Sequence, residues 1–148
     1  MKTQDYQNSI SADITPNEVF DAICRVSEWW TTNIKGSSRN LNDVFVVHFG
    51  DTSVTFKIIE VVPDQKIVWL VTDCYLDWIE NKKEWNGTRI VFEIVSKGKT
   101  TQINFTHIGL VPELECYENC NEGWNFHFGE SLLKLITEHQ GMPQTMEV

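Results

Sequence analysis

The stretch from Glu113 to His139, ELECYENCNEGWNFHFGESLLKLITEH, constrains the fold most, because no other segment is long and periodic enough for a long helix. At about 100° per residue, Tyr117, Cys120, Trp124, Phe128, Ser131, Leu132 and Leu135 fall on one face. Glu115, Glu118 and Glu122 crowd the early turns, where negative charge suits the positive end of the helix dipole. Phe126 and Leu133 are seven apart and share the opposite face. Against a single sheet that face should be polar, so they call for cover from a loop or a second subunit. Gly123 costs about 1 kcal/mol relative to Ala inside a helix, so the helix is expected to bend beside Trp124.

Everything upstream reads as a sheet able to wrap this helix. Tyr6 to Ala12 alternates weakly as a first strand. Thr15, Pro16 and Glu18 then form a helix start: N-cap, first helical residue and capping box, with Ile14 and Val19 as the staple. Val19, Phe20, Ala22, Ile23 and Val26 give this helix an apolar face, and Trp29 and Trp30 follow on a short helical turn. After the polar loop Lys35 to Asp43 the period changes to that of strands. Val44–Phe49, Ser53–Val62, Lys66–Tyr75, Thr88–Val95 and Thr101–His107 are read as five of them. The third, around Val68 and Leu70, is apolar on both sides, which calls for outside cover. Leu76 to Gly87 is a charged loop whose Trp78 and Trp85 should fold back over an apolar surface. Short turns between the later strands imply an antiparallel meander. The fold class is therefore α+β: a curved sheet of about six strands gripping one long helix, in a single domain.

Charge narrows the partners. A net charge of −9 without a basic stripe argues against nucleic acid or an anionic membrane. The N-terminal MKTQDYQNS has no apolar core of a signal peptide, and no run has the length of a transmembrane helix. The expectation is a cytoplasmic protein whose four cysteines, Cys24, Cys74, Cys116 and Cys120, are reduced thiols.

Three stretches resemble a known family: TPNEVFDAI with EWW, VVPDQKIVW, and TQINFTHIGL leading through a Cys-rich acidic turn to Gly123-Trp124. Together they resemble the START-like (SRPBCC) helix-grip superfamily. Within it they are similar to the branch related to the C-terminal domain of the activator of the HSP-90 chaperone ATPase. The resemblance implies a helix-grip fold over nearly the whole chain. It also implies one of three roles: a carrier or sensor of a small apolar molecule, a chaperone-associated module, or a cyclase- or hydrolase-type enzyme using pocket histidines. The first is the leading expectation, with no catalytic residue assigned.

The ligand site is expected between helix and sheet, lined by Trp30, Trp69, Phe92, Phe105, Trp124 and Phe128, with His107, His127 and Ser131 as polar anchors. His107 shares a strand face with Ile103 and Phe105, pointing it toward His127 or Ser131; its structural alternative is a bond to a backbone carbonyl near the strand end. Asp73 is a candidate only if its strand parity turns it inward. Cys116, Cys120 and His127 suggest a metal site, but helical rise separates Cys116 from His127 by about 16 Å. Shared zinc bonds of about 2 Å cannot span that, so no metal and no cofactor is assigned. No phosphate loop, nucleophile elbow or dinucleotide fingerprint is present. A homodimer through Phe126 and Leu133 is expected.

Overall fold

Strand alternation sets the sheet, and the computed structural model, which describes residues 5–143, places every alternating run in it. The strands are β1 (Tyr6–Ala12), β2 (Ile34–Gly36), β3 (Val44–Phe49), β4 (Thr52–Val62), β5 (Lys66–Tyr75), β6 (Arg89–Lys97) and β7 (Thr100–Ile108). They pair antiparallel in the order β1-β7-β6-β5-β4-β3-β2, a curved, open sheet of seven strands. The additional strand is β2, which starts at Ile34, one residue before the stretch expected as a polar loop, and runs into it. Three residues are too short to show alternation. Its partner β3 approaches Gly36 so closely that a Cβ there would lie 2.2 Å from the Val44 carbonyl oxygen.

Between β1 and β2 the chain forms α1 (Pro16–Cys24). The Thr15 hydroxyl accepts from the Glu18 amide and the Glu18 carboxylate accepts from the Thr15 amide, completing the expected capping box. A single 3₁₀ turn, Val26–Glu28, then delivers Trp29 and Trp30 to the interior.

The C-terminal helix runs from Tyr117 to Glu138 in three parts: α2 (Tyr117–Phe126), a π-helical turn (His127–Leu132) and α3 (Leu133–Glu138). It passes straight through Gly123, so the expected break there is corrected. The irregularity lies farther on, in the π turn, where the i→i+5 spacing puts more residues into each turn. That change of phase also corrects the expected Phe126/Leu133 face. Phe126 is 37% exposed, whereas Leu133 packs against the core. The loop with Trp85 does not cover Phe126 either; Trp85 stacks on Trp124, which faces the sheet. His139 ends the helix in the left-handed region, its amide donating to the Leu135 carbonyl.

Aromatic side chains fill the centre. Trp69 is fully buried, with the rings of Phe92, Phe45 and Phe56 centred 4.9, 5.0 and 5.3 Å away. Among the described residues no helix is long and apolar enough to cross a membrane.

Candidate functional site

Toward one end of the helix the filling stops. A cavity of about 170 Å³ lies there, lined by Trp30, Phe49, Thr52, Val54, Leu76, Trp78, Trp85, Cys120, Gly123, Trp124 and His127. Gly123 sits on its wall, and a Cβ added there would meet nothing within 4 Å. Two larger hollows, of about 460 and 440 Å³, are more polar, and all three open to solvent. Their main polar groups are paired with one another: Arg25 and Arg39 with Asp21, and the Tyr6 hydroxyl with Asn125. The smaller, apolar cavity is therefore the better candidate despite its size.

The loop between β5 and β6 forms one side of the cavity, and two carboxylates fasten it to the start of α2. The Glu84 carboxylate accepts from the backbone amides of Glu115 and Cys116 at 2.8 and 3.0 Å. The Glu115 carboxylate accepts in return from the amides of Glu80 and Asn81 at 3.0 and 3.2 Å. Cys116, the N-cap residue, makes no capping bond with its own side chain, and the Glu84 carboxylate adds its negative charge to that of Glu118 in the first turn. With the loop held, Trp85 lies under α2, stacked on Trp124 at 6.1 Å, while Trp78 stays 44% exposed at the cavity edge.

His107 is fully buried, and its protonation pattern follows from its partners. Trp124 Nε1 donates to His107 Nδ1 at 3.1 Å, and an indole nitrogen can only donate. The imidazole proton therefore sits on Nε2, which donates to Thr88 Oγ1 at 2.9 Å. Thr88 in turn donates to the Trp85 carbonyl at 2.7 Å. Burial lowers the His107 pKa to about 3, so the ring is neutral at ordinary pH. Both nitrogens are committed, and the chain of bonds fixes the orientation of Trp124. His107 thus meets Trp124 and Thr88 rather than His127 or Ser131, and reaches a backbone carbonyl only through Thr88.

The remaining site residues separate into two groups. Trp30, Trp124 and His127 line the cavity. Trp69, Phe92, Phe105 and Phe128 instead lie in the filled centre, with Phe105 4.7 Å from Phe128 between ring centroids. Ser131 donates to the Trp29 carbonyl and accepts from the Met142 amide, both at 2.7 Å, tying the segment after the helix to the 3₁₀ region. Asp73 points outward and pairs with Lys83. All four cysteines are buried free thiols. Cys120 Sγ lies 2.7 Å from Cys116 Sγ, and Trp85 Nε1 donates to the latter. The Cys116 contact first, and then burial, raise the Cys120 thiol pKa. Among the described residues no group of three or more His, Cys, Asp or Glu is placed to hold a metal ion.

A family model described as activator of Hsp90 ATPase homolog 1-like protein matches residues 13–137. The chain belongs to that family. Comparison with curated proteins gives no match. Among solved structures, the Aha1 dimer from Colwellia psychrerythraea superposes with a TM-score of 0.74 at 20% identity, covering 90% of this chain and 96% of that one. A protein from Staphylococcus saprophyticus superposes with a TM-score of 0.71 at 13% identity, covering 96% and 98%. CalU16 from Micromonospora echinospora gives 0.61 at 14% identity, covering 92% and 86%. The fold is thus the helix-grip type of the START-like superfamily.

Several wall residues of this family member escaped the sequence reading. Phe49, Thr52 and Val54 come from the β3–β4 hairpin, whose inward parity was legible but whose height along the helix was not. Trp78 and Trp85 carried a usable signal, two indoles in a charged loop. Gly123, beside Trp124, was read as a bend, whereas the helix continues through it and it lines the pocket.

Proposed function

We propose that the protein binds a small, mostly apolar molecule in the cavity under α2, as a carrier or sensor. The observation that supports it is the apolar, indole-walled pocket of about 170 Å³ that Gly123 helps to line, with nothing within 4 Å of an added Cβ there. Drug-sized ligands occupy roughly 300–1,000 Å³, so the molecule is small. The family's broad association with apolar ligands agrees with this reading.

Substituting Gly123→Leu puts a side chain into the space while improving helix propensity. Ligand-observed NMR with toluene should show binding to the natural protein and none to the Gly123→Leu variant. Absence of toluene binding to the natural protein, with no co-purified adduct in native mass spectrometry, would sink the reading.

Self-association is the second reading. It is favoured by the dimer described for the Colwellia psychrerythraea protein and by the exposed ring of Phe126. A monomeric mass at micromolar concentration would remove it. A chaperone-associated role rests on the family description alone.

A further inference from the structure

All four cysteines are buried, but among the described residues only Cys116 and Cys120 have sulfurs in contact. Their Sγ atoms lie 2.7 Å apart. A disulfide bond is about 2.05 Å long, so bond formation needs an approach of about 0.7 Å. The backbone permits it. The Cys120 amide donates to the Cys116 carbonyl at 2.8 Å, a helical turn. Such a turn puts the two Cα atoms about 6.2 Å apart, and disulfides span roughly 4.4–6.8 Å. Helical neighbours keep their Cβ atoms about 5–6 Å apart and a disulfide about 3.8 Å, so the bond must tighten this turn. Cys116 is the N-cap residue, where the helix ends and no further helical turn has to move with it.

The two sulfurs are not equivalent. Cys116 is fully buried, and Trp85 Nε1 donates to its sulfur at 3.3 Å. Cys120 is 8% exposed and forms part of the wall of the open pocket. A small oxidant in the pocket therefore meets Cys120 first, with Cys116 directly behind it. Thiols in such contact give up their protons as a pair. Once one proton has left, the other is shared between the sulfurs, and Cys120 can carry the charge while Cys116 holds the proton. The Cys116 contact first, then burial, and more weakly the Glu84 carboxylate oppose that ionisation, so the reaction is slow at neutral pH.

We propose that Cys116 and Cys120 are a redox-sensitive pair, converted to an intramolecular disulfide by a hydroperoxide that enters through the pocket. The Cys120 thiolate attacks one peroxide oxygen, the O–O bond breaks, and Cys120 becomes a sulfenic acid. The departing hydroxide takes up the proton that the pair released. The Cys116 sulfur then attacks the Cys120 sulfur, and its proton leaves with the sulfenic hydroxyl as water. With hydrogen peroxide, two thiols and one peroxide give one disulfide and two molecules of water: both sulfurs are oxidised and the peroxide is reduced. The inference does not depend on what the pocket binds.

The test exposes the folded full chain to hydrogen peroxide and then alkylates it under denaturing conditions for mass spectrometry. Cys24 and Cys74 should remain alkylatable, and Cys116 and Cys120 should not. The peptide carrying both of the latter should be two hydrogens lighter. Cys116→Ser should abolish the disulfide and leave Cys120 to accumulate added oxygen. A helical side chain leans over the turn before its own Cα, so Gly123→Leu should cover Cys120 and slow the loss of thiols severalfold. Four alkylatable thiols after prolonged exposure, or oxygen added to Cys120 of the natural protein while Cys116 stays alkylatable, would overturn the pair. An unchanged rate in a folded Gly123→Leu protein would overturn entry through the pocket.

Discussion

Beneath the π turn, Phe128 closes on Phe105 and Phe92 with ring centroids 4.7 and 6.4 Å away. Five residues earlier on the same helix, Gly123 has nothing within 4 Å of where its Cβ would be. Both regions are rich in aromatic side chains. One is filled and the other is an open pocket, lined by Gly123 of the helix and by Trp78 and Trp85 of the loop. Aromatic richness therefore marks the interior of this fold and does not by itself mark a pocket.

The largest test of this contrast removes a ring from the filled centre. Phe105→Ala should cost about 3–5 kcal/mol of stability by urea denaturation, because the emptied volume cannot collapse among Phe92, Trp124 and Phe128. Phe49→Ala, at the half-buried wall of the cavity, should cost far less. Equal losses would mean that the two regions are packed alike.

A smaller effect comes from pH. His107 has a folded pKa lowered by burial to about 3, against an unfolded value of about 6.5. The unfolded chain therefore binds a proton more readily throughout that window. The stability from a neutral His107 is present in full above about pH 6.5 and erodes as pH falls toward 3. Between pH 7 and pH 5 the loss should be about 2 kcal/mol from this residue, by the linkage relation. His127, lowered to about 4, adds in the same direction. Denaturation midpoints at the two pH values measure it, and a flat profile would show that His107 is not sealed in.

The smallest effect concerns the loop. Glu84→Ala removes the carboxylate that caps α2 and should cost about 1 kcal/mol. The more telling measurement is hydrogen exchange. The amides of Glu115 and Cys116 should exchange faster while those of β6 and β7 are unchanged. If the central strands also loosened, the loop and the centre would belong to one cooperative unit.

The strands were legible because each has an inward face of large apolar residues, as in Ile90, Phe92 and Ile94 of β6. The start of α1 was legible because Thr15, Pro16 and Glu18 act locally. β2 was not, since its place depends on the backbone of β3 and not on its own residues. His107 was correctly placed inward, yet its partners come from the loop and the long helix, whose relative heights no periodicity records. The same limit sent Trp69, Phe92, Phe105 and Phe128 to the expected pocket wall. Strand parity gives the side of the sheet a residue faces, and three-dimensional packing decides whether that side is full.

In a regular helix, distance along the axis and angle around it are locked together, so a change in one dictates the other. The π turn at His127–Leu132 loosens that lock. The first half of the helix can address the cavity with Cys120, Trp124 and His127, while the second half buries Leu135 and Ile136 where α3 meets α1 and β1. Each half is thereby free to change its contacts without forcing the other out of step. In this fold, the surface that lines the pocket and the surface that holds the molecule together are separate parts of one continuous rod.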